Sequence, residues 1–197
     1  MTGESEGIVA RTVAEDGAAD ARRPNRGRAL VVAPALAVLV VLADQVTKAA
    51  ITARYGGCGN PTFYPVLGRY AGFSYVCNTG TAFSRFAGSQ LVWVPVLIAV
   101  AAVIWLWVRS LAAPRALQQL AFGLIIGGAI GNLIDRARLG YVVDFVDLRL
   151  TDTLRWYVFN VADASICVGV ALLALAYWRA SPAPERGDHG AEARAPS

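Results

Sequence analysis

The sequence predicts an α-helical integral membrane protein with four transmembrane helices and a small β-rich layer on its outer surface. Of 197 residues, 56% are hydrophobic and 16% charged, whereas soluble domains carry roughly 25% charged residues. Mean hydropathy is +0.47. The apolar residues fall into four stretches, each near the ~20 residues a helix needs to cross a bilayer. The chain is also of a length that makes one domain.

Residues 1–28 are rich in Gly, Ala, Arg and acids, without apolar periodicity, and read as a disordered cytoplasmic tail. Residues 179–197 read the same way. The membrane domain spans 29–178. Its first span covers about 29–51, uncharged from Ala29 to Ala43. Arg22, Arg23, Arg26 and Arg28 precede it as they would a cleaved signal peptide, but Asp44 and Lys48 stand where a cleavage region would be. The second span, about 90–108, lies in the uncharged run Phe86–Val108. The third, 116–134, carries no charge. The fourth, about 158–178, is interrupted by Asp163 alone. Trp93, Trp105, Trp107, Trp156 and Trp178 sit near span ends, where interfacial aromatics belong.

Four spans put both tails on one side, and the five N-terminal Arg favour the inside for it. The long segments 52–89 and 135–157 then face outward. Within them Phe63–Leu67 and Ala71–Asn78 are strand-like, with Gly68 and Gly80 as turn signals. Tyr141–Leu148 fits either a strand or an amphipathic helix.

Composition narrows the chemistry. The net charge of +4 arises wholly in 29–178, where ten bases face six acids. The bases punctuate apolar runs and form no patch, which argues against nucleic acid. The only His, His189, lies in the C-terminal tail, which excludes His-based triads and His metal sites. Cys58, Cys77 and Cys167 cannot build a disulfide framework. Cys58 and Cys77 share the outer side and could pair, or be two free thiols; Cys167 reads as a packing residue.

All six acids of the membrane domain are Asp: Asp44, Asp135, Asp144, Asp147, Asp152 and Asp163. Asp44 and Lys48 are one helical turn apart and share a face. Asn132 and Asp135 end the third span, and Asn160 and Asp163 begin the fourth, both at i,i+3. Asp144 lies between those spans. Four segments thus bring carboxylates to one depth, at the outer edge of the bilayer, where ionisable groups are costly and face an interior or a cavity. Asp44 with Lys48, and Asp135 with Arg136, read equally well as structural pairs. Asp144 and Asp163 have no adjacent base and are the functional candidates. Two carboxylates held close share a proton. The ionised one can deprotonate a water attacking a carbonyl, and the protonated one can polarise that carbonyl and later protonate a leaving amine. Gly127, Gly128 and Gly131 suit close helix packing rather than a phosphate loop.

Other classes remain. A proton- or cation-coupled transporter also uses intramembrane Asp, although these cluster at an interface and no inverted repeat is visible. A metal between Asp144 and Asp163 is a variant of it. A Ser–Lys peptidase would pair Lys48 with Ser74 or Ser84, but a Lys base must shed its charge, which Asp44 one turn away opposes. A structural protein without chemistry would tolerate loss of either Asp. Cys58 as the chain's own lipidation site lacks the expected preceding Leu.

The stretches D-Q-V-T-K (Asp44–Lys48), N-T-G-T-A-F-S (Asn78–Ser84), G-G-A-I-G-N-L-I-D-R (Gly127–Arg136), V-V-D-F (Val142–Phe145) and F-N-V-A-D (Phe159–Asp163) resemble, in order and spacing, those of the bacterial type II signal peptidases. The resemblance covers roughly 30–178. It implies an aspartic endopeptidase that cuts prolipoproteins before a cysteine already carrying diacylglycerol. The catalytic pair would be Asp144 and Asp163. Asp44, Lys48, Asn78, Gly80, Asn132, Asp135, Arg136 and Asn160 would line or support the site. Residues 60–85 would form an extracytoplasmic cradle, and a short helix or lid would fall within 136–157. Neither cofactor nor metal is implied; the partners would be prolipoproteins and membrane lipid, with a monomer acting. Thr81 departs from a usual Ala, and Ala164–Ser165 reverse a common order; no catalytic position is altered.

Overall fold

The computed structural model describes residues 26–59, 62–80, 93–113, 115–151 and 154–180. Most of both tails, the start of the second span near Gln90, and Thr81, Ser84 and Asp152 lie outside the described residues. The elements, in order, are α1 (Arg26–Tyr55), β1 (Tyr64–Leu67), β2 (Ala71–Asn78), α2 (Trp93–Ser110), α3 (Ala116–Leu139), β3 (Val142–Leu148) and α4 (Val161–Trp178).

Among the described residues, three helices are long and apolar enough to cross a membrane: Leu30–Tyr55, Ala116–Leu139 and Val161–Trp178. In α2 the apolar stretch Leu97–Ser110 is shorter. Val31, Leu39, Leu42 and Val46 on α1, Ile98 and Trp105 on α2, and Val168 and Trp178 on α4 are all more than half exposed. Apolar side chains displayed along helix after helix call for a lipid rather than an aqueous surround.

The central helix is α3: 56% of its apolar window is buried, against 22% in α1 and 17% in α4. Its glycines permit this. A Cβ on Gly127 would lie 2.7 Å from the Ala37 carbonyl oxygen of α1, and one on Gly128 would strike the Ala162 carbonyl of α4. At the end where α2 turns into α3, a polar chain ties the two helices. Trp107 Nε1 donates to Gln119 Oε1 at 2.8 Å, and Gln119 Nε2 to Ser110 Oγ at 3.0 Å.

Two ends differ from the expected spans. The third helix continues five residues past Ile134, to Leu139, and stops where Gly140 takes φ +80°, a conformation that favours Gly. The fourth begins at Val161 rather than 158, because Phe159 still pairs with Val146 of β3 and Asn160 is extended as the cap. Among the described residues of 136–157 there is no separate short helix. Of the two readings for Tyr141–Leu148, the strand is the observed one.

The sheet is antiparallel, ordered β1-β2-β3. Between the pairs Phe73↔Val146 and Val76↔Asp144 the register slips: Ser74 and Tyr75 stand against Phe145 alone, a β-bulge. The slip leaves Asn78, paired with Val142, on the face that carries Asp144. Ile51 of α1, Tyr75, Val143 and Phe145 form the buried cluster that seats the sheet on the end of α1.

Cys58 and Cys77 are joined in a disulfide. It ties the segment after α1 to the residue before Asn78. A cross-link over 19 residues contributes about 3 kcal/mol in the chain-entropy account. Cys58→Ser is expected to lower the melting temperature by several degrees in a thermal fluorescence scan. Added reductant should lower the wild type to match, and should leave the variant unchanged.

Candidate active site

The polar residues that the sequence spreads over 120 positions converge beside the junction of α1, α3, β3 and α4. Lys48 is the centre. Its Nζ lies 2.8 Å from Asp44 Oδ2, 2.9 Å from Asp135 Oδ2 and 3.0 Å from Asn132 Oδ1. All four residues are buried. Asp135 therefore pairs with Lys48, while the neighbouring Arg136 donates from Nη1 to the Asn132 carbonyl at 3.3 Å. The cause is helical: Arg136 reaches one turn back along its own helix, whereas Asp135 faces α1.

The two carboxylates also hold backbone. Asp44 Oδ1 accepts from Ala162 N at 3.0 Å, and Asp135 Oδ2 from Val143 N at 3.0 Å. Ala162 immediately precedes Asp163, and Val143 immediately precedes Asp144. Sequence reasoning missed Gln45 in this layer. Its Nε2 donates to Asp135 Oδ1 at 3.0 Å and to Asp44 Oδ2 at 3.2 Å. An uncharged amide beside a Lys–Asp pair gave no signal in the sequence.

Three asparagines form the next layer. Asn160, wholly buried, donates from Nδ2 to Asp144 Oδ1 at 2.7 Å and to Asn132 Oδ1 at 3.1 Å. Its Oδ1 accepts from Asp163 N at 2.8 Å, and the Asp163 carboxylate accepts from Asn160 N at 3.3 Å. This reciprocal capping box fixes the first turn of α4. Asn132 Nδ2 donates to Asp163 Oδ1 at 2.7 Å. Asn78 Nδ2 donates to Asp144 Oδ2 at 2.8 Å, and its Oδ1 accepts from Gly80 N at 2.9 Å. Gly80 has φ +72°, a conformation that Gly adopts without steric cost. Every predicted site residue is thus in one network. Gly80 and Arg136 join it at its edge through Asn78 and Asn132.

Burial pushes the Asp144 carboxyl up, to about 6, and the negative charge of Asp163 adds to it; hydrogen bonds from Asn78 and Asn160 and the Lys48 charge oppose the rise. The unfolded chain titrates near 3.8. Because the folded value is the higher, this group's stabilising contribution is complete below pH ~4 and is lost as pH rises through about 6. We expect Asp144→Asn to melt higher relative to wild type at pH 7.5 than at pH 4.5, by about 2 kcal/mol after allowance for solvent screening. Any cost of the amide facing two Asn donors is constant with pH and cancels in that difference.

A second acid network was also not anticipated. Asp147 Oδ2 accepts from Ser74 Oγ at 2.7 Å and from Arg149 Nη2 at 2.8 Å. Burial acts to raise its carboxyl, but the bonds from Arg149 and Ser74 outweigh this and hold it below the usual range. Ser74 is thus committed to the sheet and Lys48 to two aspartates, which leaves no Ser–Lys pair between these two residues. Among the described residues, no group of three or more His, Cys, Asp or Glu is arranged to hold a metal ion.

A family model described as signal peptidase (SPase) II matches residues 36–179. The chain belongs to the signal peptidase II family. A relative named lipoprotein signal peptidase from Moorella thermoacetica is 42% identical over 153 residues, covering 77% of this chain and 95% of the relative. One of the same name from Syntrophotalea carbinolica is 42% identical over 149 residues, covering 73% and 89%. A bacterial membrane enzyme solved by the in meso method at 1.9 Å superposes with a TM-score of 0.63 at 27% identity, covering 79% of this chain and 95% of that one. A second such enzyme, at 2.3 Å, gives 0.61 at 30% identity, covering 78% and 88%. The chain is therefore a membrane-embedded peptidase of bacterial type, and its relatives give the transporter reading no support.

Proposed function

We propose that this protein is an aspartic endopeptidase that removes signal peptides from diacylglyceryl-modified prolipoproteins, cutting before the lipidated Cys, with Asp144 and Asp163 as the catalytic pair. The observation that carries the reading is the Asn160 bridge. One buried amide donates to Asp144 and caps the turn that bears Asp163, so the two carboxylates are positioned by a single residue.

In the proposed reaction one carboxylate of the pair is ionised and the other protonated. The ionised carboxylate takes a proton from water as the water oxygen bonds to the scissile carbonyl carbon. The protonated one hydrogen-bonds the carbonyl oxygen as negative charge develops there. It then passes its proton to the departing amine as the C–N bond breaks, leaving a carboxylic acid on the signal peptide and an amine on the lipidated Cys. Asp44, Lys48, Asn132, Asp135 and Asn160 hold this geometry. Asn78, Gly80 and Arg136 border it and position the substrate backbone.

A groove of about 430 Å³ between α1, α2 and α3 supports a membrane-borne substrate. It is lined by Ala37, Val41, Leu42, Ile104, Trp107 and Ile130 among others, and ends two residues short of Asp44. Counting α2 as a fourth span places both termini in the cytoplasm and the sheet outside, as an extracytoplasmic cradle. The Cys58–Cys77 disulfide agrees with that side, since disulfides persist in oxidising compartments.

The test is cleavage of a prolipoprotein by the purified protein in detergent, read as a gel shift and by the mass of the new N-terminus. We expect cutting before Cys only when that Cys carries diacylglycerol, and no loss on adding a chelator. Equal cutting of the unlipidated form, or inhibition by chelation, would overturn the reading.

A further inference from the structure

We propose that the Cys58–Cys77 disulfide is a positioning element of the active site: it holds Asn78 against Asp144, so that full peptidase activity needs the bond closed. The inference rests on the peptidase reading above. Cys77 is the residue before Asn78 at the end of β2, and Cys58 lies just beyond the end of α1. In the sheet register Cys77 stands opposite Val143 and Asn78 opposite Val142, the two residues that precede Asp144. The bond therefore joins the end of the helix that carries Lys48 to the strand end that meets Asp144.

That strand end needs a tie. Asn78 is the last residue of β2 and is exposed, yet its Nδ2 must stay on Asp144 Oδ2, 2.8 Å away. An exposed hydrogen bond is only slightly better than one to water. The β1–β2 ladder ends at Tyr64↔Phe73, so from Val76 onward β2 is laddered to β3 on one edge. Among the described residues, the link on its other edge is the disulfide. The bulge at Ser74 and Tyr75 makes register the weak point. Slipping β2 by one residue past the bulge would turn Asn78 to the opposite face of the sheet. A covalent bond at Cys77 fixes the register between the bulge and Asn78.

What Asn78 does for Asp144 makes the effect readable. Burial drives the Asp144 carboxyl up, and the bond from Asn78 opposes this most strongly. The other charged groups around Asp144 are Asp163 of α4, which adds to the rise, and Lys48 of α1, which opposes it. Asp44 of α1 and Asp135 of α3 pair with Lys48. The disulfide thus fixes the β2 donor relative to the α1 cation, and both favour the ionised carboxylate. A donor to a carboxylate stabilises its charged form, so an open bond that frees Asn78 leaves Asp144 protonated to higher pH.

The test uses the full chain in detergent and a diacylglyceryl-modified prolipoprotein whose lipidated Cys is its only cysteine, assayed well below the melting temperature of the reduced protein. A dithiol reductant opens the bond: the disulfide becomes two thiols, and the reductant closes into its own cyclic disulfide. We expect reduction to lower kcat/KM by about ten- to a hundred-fold, and reoxidation to restore it. Cys58→Ser should show the lower rate without reductant and should not respond to it. Two readouts separate positioning from a general loosening of the fold. In reduced wild type and in Cys58→Ser, the limb of the kcat/KM pH profile that belongs to Asp144 should move to higher pH. In Asn78→Ala, itself slow, reduction should change kcat/KM by less than about two-fold, because no amide is left to position. Equal rates before and after reduction, with thiol titration showing the bond open, would overturn the inference. An unmoved pH profile would do so too, as would an equal loss in Asn78→Ala. Should Cys58→Ser not fold, reduced wild type supplies the same readouts. Oxidised wild type that cuts nothing would overturn the peptidase reading and this inference with it, whereas cutting that ignores reduction overturns this inference alone.

Discussion

Asp144→Asn and Asp163→Asn are each expected to abolish prolipoprotein cleavage, lowering kcat by at least about a thousand-fold while leaving the protein folded. An amide has nearly the shape of a carboxyl group but neither accepts nor releases the proton that hydrolysis moves. General acid–base groups are typically worth ~10²–10⁴-fold, and in the proposed reaction one pair serves both half-reactions. The double variant should be no worse than either single one, because residues that act as a unit are not additive. Stability separates this from a structural role. In Asp144→Asn, Asn78 and Asn160 still find an oxygen on one side. In Asp163→Asn, the capping box loses its carboxylate, a cost of about 1 kcal/mol. Binding of the lipidated substrate, measured by co-purification, should survive in both. Cleavage by either variant within ten-fold of wild type would remove that residue from the reaction.

Both catalytic candidates were legible in the sequence because of what they lack. Each is an acid beside apolar residues with no adjacent base, and lipid makes that arrangement expensive. The helices were legible because uncharged runs of about 20 residues have few other uses. Helix ends were less so. Asn160 can either continue a helix or cap one, and only the pairing of Phe159 with Val146 decides that it caps. The sheet's two clearest strands were readable from their aromatic and branched residues, but the bulge at Ser74–Tyr75 was not, since it depends on the partner strand. Its consequence is functional, because register decides that Asn78 meets Asp144. Gln45 and the Asp147–Arg149 pair stayed hidden for a related reason. Gln45's partners are set by the tertiary fold, and the Asp147–Arg149 contact is an i,i+2 pair along an extended segment, which a sequence that fits either a strand or a helix does not specify. Asp135 shows the limit of reading neighbours: the adjacent Arg136 was the obvious partner, and a lysine 87 positions away is the actual one.

Lys48→Met is the other change with a large expected effect, and it should act through stability first. The Lys48 side chain is 4% exposed, and its Nζ sits between two aspartates whose side chains are 0% and 4% exposed. Removing the cation leaves two carboxylates in a buried site with Gln45 and backbone N–H groups as their remaining donors. Breaking a buried pair in this way costs roughly 3–5 kcal/mol. The damage is directed at the chemistry. Repulsion between Asp44 and Asp135 pulls on Ala162 and Val143, each one residue before an aspartate of the proposed catalytic pair. Cleavage should therefore be lost even at temperatures where the variant remains folded. Lys48→Met combined with Asp44→Asn and Asp135→Asn removes the repulsion yet keeps an acceptor for each backbone N–H. Thermal scans should show that triple variant recovering at least half of the lost stability. A single Lys48→Met variant that melts within about 2 °C of wild type and cuts normally would mean that the aspartates are held by their backbone bonds alone. If the triple variant is no more stable than the single one, the loss comes from the cavity left by the lysine stem rather than from charge.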